Sequence, residues 1–122
     1  MKFYFVKFTH AETNKDFYKF GITSKIDVLE RFNTSYDERY GDFYIRVLYS
    51  AYGSDEQVRK VESTFLKAFP KNFILETYLG KPFGFYDGLS GITETVVLTR
   101  PDVDRIMNIL QNIKGEKNKL ID

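Results

Sequence analysis

The sequence predicts a small α+β domain in which a short antiparallel sheet is flanked by helices. Three segments rich in Phe, Tyr, Val and Ile have the character of strands, at residues 2–9, 17–23 and 43–52. Helical periodicity appears between and after them. A chain of 122 residues is the size of one domain. The expected element order is β-β-α-β-α-(β)-α, a β-hairpin and a third strand with helices packed on the sheet.

The first two strands are joined by the polar segment HAETNKD, which predicts an antiparallel hairpin with a long loop. We expect Phe8 to pair with Phe17 across this loop. In that register Tyr4 lies opposite Gly21, and Lys19 projects from the same face because side chains alternate along a strand. A phenol and an ammonium would then lie side by side, next to a glycine that leaves space.

Two capping boxes predict helix starts. Ser24 and Asp27 would open a helix over residues 24–36. Its apolar face is marked by Val28, Leu29, Phe32 and Tyr36. Ser54 and Gln57 would open a second helix that runs to about residue 69, just before a proline.

The last third of the chain is less regular. Residues 72–79 fit either a strand or an extension of the preceding helix, and residues 80–91 form a glycine-rich loop. A strand over 92–98 completes a core that covers about 2–98. A final helix over about 101–114 is followed by a frayed polar tail at 115–122, so that 1–122 is a single domain.

The composition excludes several kinds of site. The chain has no Cys, which excludes disulfides, thiolate zinc sites and cysteine nucleophiles. His10 is the only histidine and lies in a polar loop, so we do not expect histidine acid–base chemistry. The net charge is +1, so any basic surface must come from local clustering of Lys and Arg. No apolar run approaches the roughly 18 residues of a membrane span, and Lys7 interrupts the N-terminal apolar stretch. We therefore expect an intracellular, cytoplasmic protein with no membrane partner.

Glu62 is the residue that fits an ordinary core least well. At about 100° per residue it falls about 40° from Val58, between Phe69 and Leu66 in the apolar stripe of its helix. A buried carboxylate needs a cation, a metal or a proton to offset its desolvation. A structural salt bridge, with Arg31 as the first candidate, and a metal site both satisfy this requirement.

Tyr4, Lys19 and Arg31 also have ordinary interpretations. Strand tyrosines pack, strand lysines extend from sheet edges, and a flanking arginine is commonly solvated or stacked on an aromatic ring. Together with Glu62, however, they supply a phenol, an ammonium, a guanidinium and a carboxylate. This set suits metal-assisted phosphodiester cleavage, and we expect the four side chains to converge on one cleft over the sheet face that carries Tyr4. The carboxylate would anchor one Mg²⁺, the cations would offset transition-state charge, and the phenol would orient or deprotonate the attacking water.

In their order along the chain, these residues resemble the GIY-YIG nuclease superfamily, in particular small phage and bacterial variants whose second motif reads Lys-Ile-Gly. The first motif corresponds to Lys2–Tyr4, which keeps the tyrosine, and the second to Lys19–Thr23. Arg31 falls at the position of the family's helix arginine, and Glu62 at that of its metal-binding glutamate. Gly91–Glu94 resembles the family's late Gly-x-x-Glu element.

The chain also departs from the family pattern. Neither signature triplet is intact, and Ser35 stands four residues after Arg31, where the family has a histidine, with Tyr36 adjacent. Asn72 is a candidate for the asparagine that some members use near the site. These departures keep open an alternative of another class, a catalytically inactive nucleic-acid-binding or protein-interaction module with the same fold.

The resemblance implies a single-metal endonuclease that cleaves double-stranded DNA with Mg²⁺ or Mn²⁺. Tyr4 and Lys19 would position the nucleophilic water, and Glu62 would bind the metal. Lys19, Arg31 and Tyr36 would contact phosphate and DNA. The accessory positions are Tyr18, Asn72 and Glu94. Specificity would come from loops, from a homodimer or from a partner protein, in a bacterial or phage-encoded setting.

Overall fold

A computed structural model describes residues 1–69, 75–82, 85–86 and 95–112. Its strands are β1 (Lys2–His10), β2 (Asp16–Thr23), β3 (Phe43–Tyr52) and β4 (Thr95–Val96). Its helices are α1 (Asp55–Ala68), α2 (Leu75–Leu79) and α3 (Arg100–Asn112). Two 3₁₀ helices lie between β2 and β3, at Val28–Phe32 and Glu38–Asp42.

The four strands form one antiparallel sheet in the order β3-β1-β2-β4, which makes the domain α+β. β1 and β2 pair in the predicted register, with Phe8 opposite Phe17 and Tyr4 opposite Gly21. β1 also pairs with β3 along its whole length, with a shift in register midway that marks a bulge. The hairpin prediction is confirmed, and β1 is an interior strand.

Both faces of the sheet are buried, and this explains why β1 and β2 are continuous apolar runs rather than alternating ones. The first face, called the Tyr4 face, contacts the 3₁₀ helices and α2. Its buried cluster is Tyr4, Val6, Phe8, Phe17, Val28, Phe32, Tyr40, Phe43, Leu79 and Tyr86. The opposite face, called the Phe3 face, contacts α1 and α3. Its buried cluster includes Phe3, Phe5, Phe20, Val58, Phe65, Ile106 and Leu110.

α1 begins at the predicted capping box. The Gln57 backbone N–H donates to Ser54 Oγ at 3.2 Å, and the Ser54 backbone N–H donates to Gln57 Oε1 at 2.9 Å. The helix then buries Val58 and Phe65 on the Phe3 face, where the Phe65 ring stacks on Phe20 with centroids 5.0 Å apart. The predicted start and the predicted apolar stripe of this helix are both confirmed.

α3 also begins as predicted, with Pro101 in its first turn. Thr99 and Asp102 cap it reciprocally, because each backbone N–H donates to the other's side chain. Ile106 and Leu110 are fully buried on the Phe3 face. The predicted tail at 115–122 lies outside the described residues.

The predicted helix over 24–36 is wrong. The chain forms only a short 3₁₀ helix there, because Asp27, and not Ser24, is its N-cap and accepts from the Leu29 backbone N–H at 3.0 Å. Past the helix, Asn33 Oδ1 accepts from the Ser35 backbone N–H at 2.8 Å, an Asx turn that competes with further helix.

The apolar face predicted for this segment is correspondingly reduced. Val28 and Phe32 are buried, whereas Leu29 and Tyr36 are 46% and 66% exposed.

Two other segments contain helices that the sequence did not specify. The connection before β3 contains the Glu38–Asp42 3₁₀ helix, and the undecided segment 72–79 contains α2. Of the strand predicted over 92–98, Thr95–Val96 pairs with β2, and residues 92–94 lie outside the described part of the chain.

Candidate functional site

Tyr4 packs directly over Gly21. A Cβ placed on Gly21 would lie 2.3 Å from both Cζ and Oη of the tyrosine, so no other residue fits at this position without moving the ring. Tyr4 is 1% exposed, and its ring meets the edge of Phe32 at a centroid distance of 5.7 Å. Gly21 therefore leaves the space that the Tyr4 ring occupies.

Lys19 is buried at the centre of the sheet and is only 3% exposed. Its Nζ lies 5.9 Å from the centroid of the Tyr4 ring, a cation–π geometry. β2 is bordered by β1 and β4, so Lys19 does not extend from a sheet edge, as a strand lysine ordinarily does. The phenol, the ammonium and the glycine are brought together as the sequence predicts.

Thr95 is the neighbour that sequence reasoning missed. It is directly opposite Lys19 in the β2–β4 register and is fully buried. The next residue on β4, Val96, is opposite Tyr18 and projects to the Phe3 face. The only signal for Thr95 in the sequence was its place in a predicted strand, which could not show which strand it would pair with.

Arg31 lies one aromatic ring away from Tyr4. Its guanidinium carbon is 5.8 Å from the centroid of the Phe32 ring, and Nη1 donates to the Tyr40 hydroxyl at 3.4 Å. Phe32 in turn meets Tyr4, so the Val28–Phe32 3₁₀ helix sets the arginine on the Tyr4 face. This agrees with the stacked interpretation of Arg31 and also leaves the residue half-buried near the phenol.

Glu62 differs from the prediction that it joins Tyr4, Lys19 and Arg31 over the Tyr4 face. It is half-buried on α1, and α1 packs on the Phe3 face. The helical wheel placed Glu62 correctly beside the apolar stripe of its own helix. It could not show which face of the sheet that stripe would cover, because the choice depends on contacts distant in sequence.

The donor set available for a metal is small. Within residues 1–69, 75–82, 85–86 and 95–112, no group of three or more His, Asp or Glu side chains is arranged to hold an ion. Glu62 would therefore contribute a single carboxylate. This is compatible with Mg²⁺, which keeps several of its waters and is commonly bound through one or two carboxylates.

The remaining predicted positions separate into three groups. Tyr18 is buried on the Phe3 face, stacked on Phe5 with centroids 5.7 Å apart, and burial raises the pKa of its hydroxyl. Tyr36 is exposed, with Lys25 Nζ 5.9 Å from its ring centroid. Asn72 and Glu94 lie outside the described residues.

His10 is 1% exposed, although the sequence placed it in a polar loop. It is the last residue of β1, and its Nδ1 accepts from the Thr13 backbone N–H at 3.3 Å, with the Thr13 hydroxyl 2.8 Å away. Burial, and then the positive charge of Lys81, lower the pKa of the imidazole. His10 is thus a neutral side chain that holds the hairpin loop.

No family model, no curated protein and no solved structure matches this chain. Among the helices that the structure describes, none is long and apolar enough to cross a membrane.

Proposed function

We propose that the chain is a metal-dependent endonuclease that hydrolyses DNA phosphodiester bonds, with a GIY-YIG-like fold and a single-metal mechanism. One observation carries the proposal. The Lys19 ammonium is held 5.9 Å from the Tyr4 ring, directly beside the glycine on which that ring rests. Burying a lysine inside a small sheet is costly, so a use for its charge is expected.

Three side chains on the Tyr4 face have a chemical role in this proposal. The Tyr4 phenol orients or deprotonates the attacking water, and Lys19 supplies positive charge beside it. Arg31 presents a planar guanidinium, the group best shaped to bind two oxygens of a phosphate. These three residues share one face, and Arg31 is joined to Tyr4 through Phe32.

Glu62 would hold one Mg²⁺ or Mn²⁺ through its carboxylate. When bound, the ion supplies positive charge that polarises the scissile phosphate. Because α1 lies on the Phe3 face, the proposal requires Glu62 to approach the phosphate around the edge or the end of the sheet, and not across it.

The proposed partner is double-stranded DNA in an intracellular, cytoplasmic setting of bacterial or phage origin. A net charge of +1 gives little long-range attraction to a polyanion. Affinity and specificity would therefore depend on a homodimer or a partner protein, and on exposed groups such as Tyr36.

The second candidate is a catalytically inactive binding or interaction module, and burial favours it. Tyr4 and Lys19 are 1% and 3% exposed, whereas catalytic groups must touch their substrate. In that function the Tyr4–Gly21 contact and the Lys19 cation–π contact belong to the core alone.

Nicking of supercoiled plasmid with Mg²⁺ or Mn²⁺, and with EDTA as the control, distinguishes the two candidates. We expect metal-dependent nicking by the wild type and its loss in Tyr4→Phe. The matched control is Tyr49→Phe, a buried tyrosine on the Phe3 face whose hydroxyl has no hydrogen-bond partner among the described residues. Nicking that survives EDTA, or no nicking by folded wild-type protein, would exclude the nuclease.

A further inference from the structure

A row of four side chains crosses the Tyr4 face from β3 to β4. The cross-strand pairs are Val47 with Val6, Val6 with Lys19, and Lys19 with Thr95. Val6 and Thr95 are both 0% exposed, so Lys19 has a fully buried neighbour on each of the two adjacent strands. Within this row, the hydroxyl of Thr95 is the only side-chain oxygen.

A buried ammonium has three N–H donors and requires acceptors for them. The Tyr4 ring lies on one side of Lys19, with its centroid 5.9 Å from Nζ. Directly opposed residues on antiparallel strands have Cβ atoms about 4.5–5.5 Å apart, which brings the Thr95 hydroxyl within reach of the lysine side chain. The strand register and the ring contact therefore place Thr95 and Tyr4 next to the Lys19 side chain.

The position of Thr95 is fixed by the residue that follows it. Val96 is 2% exposed and inserts into the Phe3-face cluster with Ile106 and Leu110. Because successive strand residues point to opposite faces, anchoring Val96 there turns Thr95 toward Lys19. The register of β4 is thus set by an apolar contact that is independent of the lysine.

We infer that Thr95 is a positioning residue whose hydroxyl accepts a hydrogen bond from the Lys19 ammonium and holds it against the Tyr4 ring. Thr95 acts through Lys19 and is not itself a catalytic residue. Any effect of Thr95 on DNA cleavage rests on the proposed function, but the hydrogen bond between Thr95 and Lys19 does not.

The test is NMR of the full chain with isotopically labelled lysine. In the wild type we expect NOEs between the Lys19 side-chain methylenes and the Tyr4 ring, and an upfield shift of those methylenes from the ring current. Thr95→Val keeps the shape but removes the hydroxyl, and should lose both signals. Thr95→Ser keeps the hydroxyl and should retain them.

Thr23→Val is the matched control. Thr23 is a buried threonine on β2 and on the same face as Lys19, but it lies four residues away, or about 13 Å at about 3.3 Å per residue. Its hydroxyl accepts from the Lys25 backbone N–H at 3.1 Å. This variant should leave the Lys19 signals unchanged.

Unchanged Lys19–Tyr4 signals in Thr95→Val would overturn the inference, as would their loss in Thr95→Ser. If Thr95→Val does not fold, Thr95→Ala, which also lacks the hydroxyl and is smaller, decides in the same way. The plasmid assay is read separately. If Thr95→Val loses the NMR contact and the wild type does not nick plasmid, the positioning role is supported and the nuclease is rejected. If Thr95→Val keeps the contact and the wild type nicks plasmid, the positioning role is rejected and the nuclease is supported.

Discussion

The Tyr86 hydroxyl donates a hydrogen bond to Asp42 Oδ2 at 3.1 Å, and joins the end of the second 3₁₀ helix to a residue 44 positions later. The Tyr86 ring also packs on Phe43, with centroids 5.4 Å apart. Burial and the adjacent carboxylate raise the pKa of the Tyr86 phenol, so it stays protonated and acts as the donor. This long-range contact closes one end of the Tyr4 face.

Tyr86→Phe should therefore destabilise the fold by about 1–3 kcal/mol, because Asp42 loses the partner of a charge-assisted hydrogen bond. Urea unfolding of the two proteins measures the difference. Tyr49→Phe is the control, since the Tyr49 hydroxyl has no partner among the described residues and its removal should cost nothing. Equal destabilisation by both substitutions would contradict this role for the Asp42 contact.

Gly21→Ala should destabilise the domain by about 1–3 kcal/mol, because the new Cβ would force the Tyr4 ring to move. At Gly41 the nearest atom to an added Cβ is Thr34 Cγ2 at 3.6 Å, an ordinary contact. Gly41→Ala should thus stay within about 0.5 kcal/mol of the wild type. Thermal unfolding compares them, and the prediction fails if Gly21→Ala is the milder change.

The stability of the domain should fall as the pH decreases through the ordinary titration range of histidine. Burial lowers the pKa of His10 in the folded state, so the unfolded chain takes up the proton first. The stabilisation is complete above about pH 6.5 and is lost as the pH falls toward the lowered value. His10→Gln should flatten this part of the profile, measured as the free energy of unfolding between about pH 7 and 5.

The charged groups that act on His10 are Lys81, Glu12 and Asp42. Lys81 and Glu12 form an ion pair at 2.7 Å, which keeps both charged across this range. An NMR titration of the imidazole reports its protonation directly. A midpoint at or above the value of a free histidine would contradict the prediction.

Glu62→Gln should abolish plasmid nicking and leave the melting temperature nearly unchanged if the carboxylate serves a metal. Removal of one partner from a buried structural ion pair would instead cost about 3–5 kcal/mol. Calorimetry without added metal, run beside the nicking assay, separates the two outcomes. A large loss of stability with cleavage retained would assign Glu62 to the fold alone.

DNA binding by the monomer should depend weakly on salt. Each neutralised phosphate contributes about −0.9 to the slope of log affinity against log salt, and we expect about two to four contacts near Lys19 and Arg31. The measurement is a salt titration of Glu62→Gln protein on duplex DNA. A slope steeper than about −6 from a demonstrated monomer would reveal a basic surface that the composition does not suggest.

The sequence predicted what depends on near neighbours. The hairpin register, and with it the Tyr4–Gly21–Lys19 contact, follows from one polar loop and an apolar pattern. The start of α1 follows from Ser54 and its capping partner. These signals lie within a few residues of the structure that they determine.

What the sequence did not predict depends on distant contacts or on competing local hydrogen bonds. The side of the sheet that α1 covers, the pairing of Thr95 with Lys19 and the burial of His10 all require partners far along the chain. The helix over 24–36 failed because Asp27 and an Asx turn at Asn33 satisfy the backbone in another way.

The alternation of β1 links the two halves of the interior mechanically. Its nine residues send Tyr4 to one face while Phe3 and Phe5, on either side, go to the other. A close-packed interior transmits small displacements, so a change of side-chain volume beneath α1 or α3 would shift the backbone that carries the phenol. Substitutions made far from Tyr4 on the Phe3 face would therefore tune its position, and neither half can be redesigned independently of the other.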